Sequence, residues 1–292
     1  MLKNTDIHIR DPFVLPITAE RRYYLYGTTG PQTWTSSASG IDYYTSPDLR
    51  GWEGPFPAFR PPTGFGLTAT SGRPKCTSTG GAITCLPASR LKASAGGTQI
   101  LAADGPRGPF LPVSDGPVTP RDWECLDGTL FVDARNQPWM VFCHEWVQVG
   151  DGEICAVRLS DDLVSAIEPP RLLFRASETP WAEAFESKGR KGYVTDGPSL
   201  RRLASGALIM LWSSFGVGGY TIGVARSASG AIQGPWHQAP EPLYAGDGGH
   251  CMVFRTFEAR LLLAFHRPNQ SPHERPHFVP LRETGSSVEI VK

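Results

Sequence analysis

The chain has 292 residues with 28 basic and 28 acidic side chains, a balance that excludes the basic footprint of a nucleic-acid binder and any polyanionic tail. Gly and Pro supply 32 and 27 residues and aromatics a tenth of the chain, which excludes a helical bundle and suits many short strands joined by tight turns. No run of 18 apolar residues offers a membrane span, and "MLKNTDIHIRD" lacks the apolar centre of a secretory leader, so the expectation is a cytoplasmic protein whose partner is neither nucleic acid nor membrane.

From the N-terminus, "IHIRDPFVLPITAERRYYLYGTTG" (residues 7–30) sets Asp11 and a proline between two apolar runs, and its aromatic end pairs with "DYYTSPDLRGWEGP" as strand, turn and strand. The polar loop between them, "GPQTWTSSASG", carries Trp34, the one tryptophan that reads as an exposed sugar-stacking ring. Trp52, Trp123, Trp146 and Trp181 read as core first. "TQILAADGPRGPF" keeps only the turn-rich half of such a unit. The full pattern resumes with "PWMVFCHEW" and "ICAVRLSDDL", repeats in "ALIMLWSSF" and "YTIGVARSASGAIQGPW", and closes in "MVFRTFEARLLLAFHR".

Five such units of about 55 residues fill the chain. None alone can bury its apolar faces, whereas radial packing can, so residues 1–292 are expected to form a single all-β domain, a five-bladed β-propeller. A pair of β-sandwiches is the alternative. The six cysteines, Cys76, Cys85, Cys125, Cys143, Cys155 and Cys251, show no metal-ligand spacing and read as buried thiols.

Polar residues recur where the units open: Asp11 in "RDPF", Asp127 in "LDGTLFVD", Asp196 in "TDGPSL" and His250 in "GDGGHCMVF". An Asp before Gly or Pro is common turn chemistry. Their shared place ahead of an apolar strand, on the strand that lines a propeller channel, points instead to function. Converging carboxylates are what glycosidic cleavage needs: an acid for the leaving oxygen, a base for water, and a neighbour that tunes the acid.

These motifs resemble glycoside hydrolase family 43, whose five-bladed members act mainly on arabinose- and xylose-containing glycans, and the resemblance spans nearly the whole chain. The family's early "DP" is similar to "RDPF" and implies Asp11 as general base. Its second motif is similar to "LDGTLFVD" and implies Asp127 as modulator and orienter of the acid. The family's acid is a Glu in "EGP", where this chain reads "TDGP", so Asp196 takes that role with one methylene fewer. Glu145 in "FCHEW" and Glu186 in "AFESKG" are the other acids weighed. Glu145 is grouped with Trp34 and His250 as substrate-binding candidates. The family's "GxGH" resembles "GDGGH", implying His250 at the channel floor, where a water or a hydrated cation such as calcium can sit. No metal or cofactor is required, and the implied mechanism is inverting.

The stretch "GLTATSGRPKCTSTGGAITCLPASRLKASAGG" contains neither an aromatic residue nor an acid. A polar loop insertion would look like this, but the second blade would then lose its inner strands. Read one base earlier from Gly66, the fixed bases permit W-A at the start, then F-W-A-P-E-V, then G-Y-Y, before the written frame resumes at "GTQIL". That restores a strand-rich opening similar to the family's pattern there. Residues 66–96 are therefore read as the product of a compensated pair of frameshifts. The functional expectation is a glycosidase acting on arabinofuranosyl- or xylosyl-containing oligosaccharides or glycosides. A catalytically inactive carbohydrate-binding propeller is the alternative, and a protein-interaction propeller a third reading that lacks any per-blade surface signature.

Overall fold

The computed structural model describes residues 1–29, 40–60, 76–79, 82–85, 88–90 and 96–291. Four sheets are antiparallel meanders of four strands each, in chain order. Sheet I comprises Ile9–Ile17, Arg22–Thr29, Ile41–Ser46 and Glu53–Phe59; sheet II comprises Cys125–Val132, Pro138–His144, Glu153–Arg158 and Arg171–Arg175. Sheet III comprises Asp196–Arg202, Leu208–Gly216, Gly219–Ser227 and Trp236–Gln238; sheet IV comprises Gly249–Arg255, Leu261–Arg267, Arg275–Thr284 and Ser287–Ile290.

Strand periodicity explains why these sheets stack face to face. In sheet III, Leu208, Met210 and Trp212 point into a core shared with Trp139, Val141 and Phe174 of sheet II. The alternate residues Ile209 and Leu211 point the other way, into a core with Leu261, Leu263 and Phe265 of sheet IV. Sheets whose strands are apolar on both faces must be covered on both faces. Sheet IV then packs on sheet I through Met252, Phe254 and Leu262 against Ile9, Val14, Tyr23 and Leu25, so the last sheet meets the first and the ring closes. The first strands of sheets IV and I, of II and III, and of III and IV touch one another, which makes the first strand of each sheet the inner one, as in a propeller.

Between sheets I and II the expected repeat of the meander is not found. The strands there are Leu111–Pro112, Leu101–Ala103, Ala82–Cys85 and Cys76–Thr79 in that spatial order, with Ala88–Arg90 paired to Gly96–Thr98. Regular four-stranded meanders thus number four among the described residues, and the expectation of five equivalent blades is corrected to this extent. The physical reason is compositional: the stretch holds none of the aromatic pairs that fasten the other sheets. The sector still bridges its neighbours, because Leu101 and Phe110 join the core of sheet I while the adjacent Ile100 joins that of sheet II.

Cys125, Cys143, Cys155 and Cys251 are buried free thiols, as expected, and Trp52 is fully buried with its indole N–H on Asn4 Oδ1 at 2.6 Å. Among the described residues no helix is long and apolar enough to cross a membrane.

Candidate active site

In all four meanders the inner strand slips against its neighbour near its start, between Arg10 and Phe13, Leu126 and Thr129, Asp196 and Ser199, and Gly249 and Met252. Such bulges re-aim a side chain and favour a residue that tolerates left-handed backbone. The first slipped residue is left-handed each time: Asp11 at φ 53°, Asp127 at 57°, Gly197 at 57° and His250 at 53°. The equivalent positions therefore carry Asp, Asp, Gly and His. Asp196 sits one residue ahead of its bulge, a refinement of the expectation that it is in register with the others.

The bulges bring these residues together at one end of the channel. The Nδ1 atom of His250 lies 3.2 Å from Asp11 Oδ1, 3.7 Å from Asp127 Oδ2 and 3.6 Å from Asp196 Oδ1. Asp127 and His250 are almost wholly enclosed, and Asp196 at 9% exposure is the most open of the four. Gly197 donates its backbone N–H to Asp127 Oδ2 at 2.9 Å, so Asp127 holds the turn that carries Asp196. Tyr220 donates its hydroxyl to Asp196 Oδ2 at 2.5 Å. His250 is itself fixed through its backbone N–H, which donates to Ser213 Oγ at 2.9 Å.

Beside Asp11 stands a second histidine that the sequence did not single out. The backbone N–H of Asp11 donates to His266 Nδ1 at 3.2 Å. Burial, and then the charge of Arg10, hold the His266 pKa down at about 3 against the pull of Asp11, so the ring is neutral. Arg10 in turn donates to Glu274 Oε1 at 2.6 Å. Burial alone would raise the Glu274 carboxyl, but hydrogen bonds from His8, Ser271 and Arg10 hold it well below the usual carboxylate range.

Three nearly dry carboxylates around one imidazole crowd negative charge into a low-dielectric site, where a compensating positive charge is favoured. The ligand atoms of Asp127, Asp196 and His250 all lie within 4.8 Å of one another. Both ring nitrogens of His250 are buried without a hydrogen-bond partner, which fits a hydrated cation or a water held there.

Glu145 stands at the rim, half-buried, as the N-cap of the helix Trp146–Val149. It follows the second strand of sheet II at the end where Asp127 opens the first, since Cys125 pairs with His144. Glu186 is exposed on a separate hairpin, opposite Lys191. Trp34 lies outside the described residues. Arg10 stands inside "RDPF" but was not singled out, and Ser213, Tyr220, His266 and Asn269 were missed because each reaches the site only through antiparallel pairing or a turn.

The sequence profile described as "Glycosyl hydrolases family 43" matches residues 6–285. Among solved structures, the chain is similar to an endo-arabinase from Bacteroides thetaiotaomicron at 38% identity, over 97% of this chain and 98% of that one, with a TM-score of 0.90. An endo-1,4-beta-xylanase from the same organism (21% identity, 99% and 96% covered, TM-score 0.77) and an alpha-L-arabinofuranosidase from Lactobacillus brevis (16%, 97% and 93%, 0.75) share the fold. No curated protein matches the chain.

Proposed function

The chain belongs to glycosyl hydrolase family 43 and is an O-glycosyl hydrolase, and on that premise we propose that it cleaves arabinofuranosyl or xylosyl linkages with inversion. The observation that carries this reading is the convergence of Asp11, Asp127 and Asp196 on His250 Nδ1, within 3.2 to 3.7 Å. The relative described as an endo-arabinase, at 38% identity, favours an arabinan-type substrate over a xylan.

In this mechanism Asp11 takes a proton from the attacking water, Asp196 protonates the departing oxygen, and Asp127 orients Asp196 through Gly197. An inverting pair needs room for the water, about 6.5–9.5 Å between carboxyls. The facing oxygens of Asp11 and Asp196 can be no farther apart than the two contacts to His250, 3.2 and 3.6 Å, laid end to end. That upper bound falls just inside the short end of the range, so the attacking water has little room to spare between the two carboxylates. Asp196, the most open of the three aspartates, has the most freedom to move aside for that water.

A hydrated cation, where bound by Asp127, Asp196 and His250, would supply positive charge that relieves repulsion among the carboxylates. The reaction itself needs only the side chains named. Residues 1–292 act as one catalytic domain, with the sector between sheets I and II as a disrupted fifth blade. Its bridging of two cores by Ile100 and Leu101 supports that count.

The test is release of aryl leaving group from α-L-arabinofuranoside and β-D-xyloside substrates by the chain and by Asp11→Asn. Turnover that Asp11→Asn loses while folding normally is expected. A chain that binds arabinan but never turns it over would instead be a carbohydrate-binding propeller, the reading favoured by Asp196 where the family has Glu.

A further inference from the structure

A slipped residue loses its ladder partner, so its backbone N–H must find another acceptor. For His250 the acceptor is Ser213 Oγ, at 2.9 Å. For Asp11 it is His266 Nδ1, at 3.2 Å. Ser213 and His266 occupy equivalent places: Ser213 pairs with Asp196, and His266 with Gly249, each the last residue before the slip in its own sheet. The second strand of one sheet thus reaches across to the bulge of the next, from III to IV and from IV to I.

At Asp11 the acceptor is an imidazole, and only one tautomer can serve. A backbone amide only donates, so Nδ1 carries the lone pair and the proton sits on Nε2. That proton points to Asn269 Oδ1 at 3.1 Å. The same oxygen accepts from Arg10 Nη2 at 2.8 Å, and Glu274 holds the other arm of the guanidinium. Arg10 immediately precedes Asp11, so the contacts form a closed loop from Arg10 through Asn269 and His266 to the Asp11 backbone. The ring of His266 has no exposed surface and stacks against Tyr220, with centroids 5.6 Å apart.

We propose that His266 is a positioning residue for Asp11: it holds the backbone N–H of the left-handed turn that aims the Asp11 carboxylate into the channel, and Asn269 and Arg10 fix the tautomer that lets it do so. The proposal rests on the reading of Asp11 as general base. A non-glycine residue at φ 53° persists only while its surroundings enforce it. Released, the turn relaxes and carries the carboxylate off its line to the water.

The experiment compares the full chain with His266→Phe, His266→Asn, Asn269→Ala and Asp11→Asn. It measures turnover of an aryl α-L-arabinofuranoside, amide hydrogen exchange at residue 11, and the thermal midpoint. Phe keeps an aromatic ring but offers no acceptor, whereas the Asn side-chain oxygen can stand where Nδ1 stood. His266→Phe is expected to lower kcat by about 100-fold with KM within about threefold, and His266→Asn to recover to within about tenfold of the parent. Asn269→Ala falls between them. Exchange at residue 11 is slow in the parent and in His266→Asn and fast in His266→Phe. Parent-like kcat in His266→Phe, unchanged exchange at residue 11, or equal losses in the Phe and Asn variants would each overturn the proposal. Parent-like turnover in Asp11→Asn, or no turnover by the parent, would sink the assignment of Asp11 as base, while the exchange measurement still decides the clamp.

Discussion

Replacing Asp11 by Asn removes a proton acceptor while keeping the shape of the side chain, so turnover falls by about 10²–10⁴-fold with the fold intact by circular dichroism. Asp196 answers to a different measurement. An acid is needed in proportion to the basicity of the leaving oxygen, so Asp196→Asn loses turnover on arabino-oligosaccharides far more than on dinitrophenyl arabinofuranosides. Equal losses on both would remove Asp196 from the role. Asp11, Asp127 and His250 were legible in the sequence because a bulge ahead of an apolar strand needs a polar residue at ease with left-handed backbone, and "DP", "DG" and "GH" advertise that. Tyr220 and His266 were not legible: each lies among apolar strand residues, and only pairing register turns it toward the channel.

At the scale of elements, the inner strands matter because they carry the chemistry a short distance from a tightly packed neighbour. In sheet I the second strand meets the first at Gly27, where an added Cβ would lie 2.6 Å from the backbone oxygen of Arg10 and 2.5 Å from Ile9 Cγ1. Gly27→Ala therefore pushes on the residue next to Asp11, costing about 1–3 kcal/mol of stability together with turnover. Denaturant unfolding and kcat, measured side by side, check both effects. The strands themselves were readable from period-two runs such as "ALIMLWSSF", whose alternate residues serve two different cores. Between sheets I and II that signal is missing, and among the described residues so is the meander. The alternation that radial packing requires is lost when small and polar residues replace aromatics.

At the scale of the whole molecule, sheets IV and I are held together by apolar packing and by buried polar contacts, among them an ion pair at Glu274. Glu274, fully buried, receives Arg10 at 2.6 Å and His8 at 2.9 Å, tying the first strand to the last sheet. Its folded pKa lies below the ordinary 4.5. The stabilisation it gives is therefore fully present above that value and is lost as pH falls below it toward the folded pKa. The thermal midpoint of the parent should drop on acidification from pH 5 to pH 3, while Glu274→Gln, weaker at neutral pH by about 3–5 kcal/mol, should show a flatter acid limb. Parallel acid limbs would dismiss Glu274 as the cause. The frameshift reading makes its own claim: the nucleotide sequence of codons 66–96 should carry two compensating errors, and a frame-restored chain should melt higher than the written one. A gene with no such pair of shifts would refute it.

The ring of carboxylates around His250 is the centre of the account, and its most direct test is proton NMR of the first-formed product during hydrolysis of an α-linked arabino-oligosaccharide. A reducing sugar of inverted anomeric configuration is expected, formed by the parent chain and not by Asp11→Asn. A product of retained configuration, or equal rates for the two proteins, would contradict it.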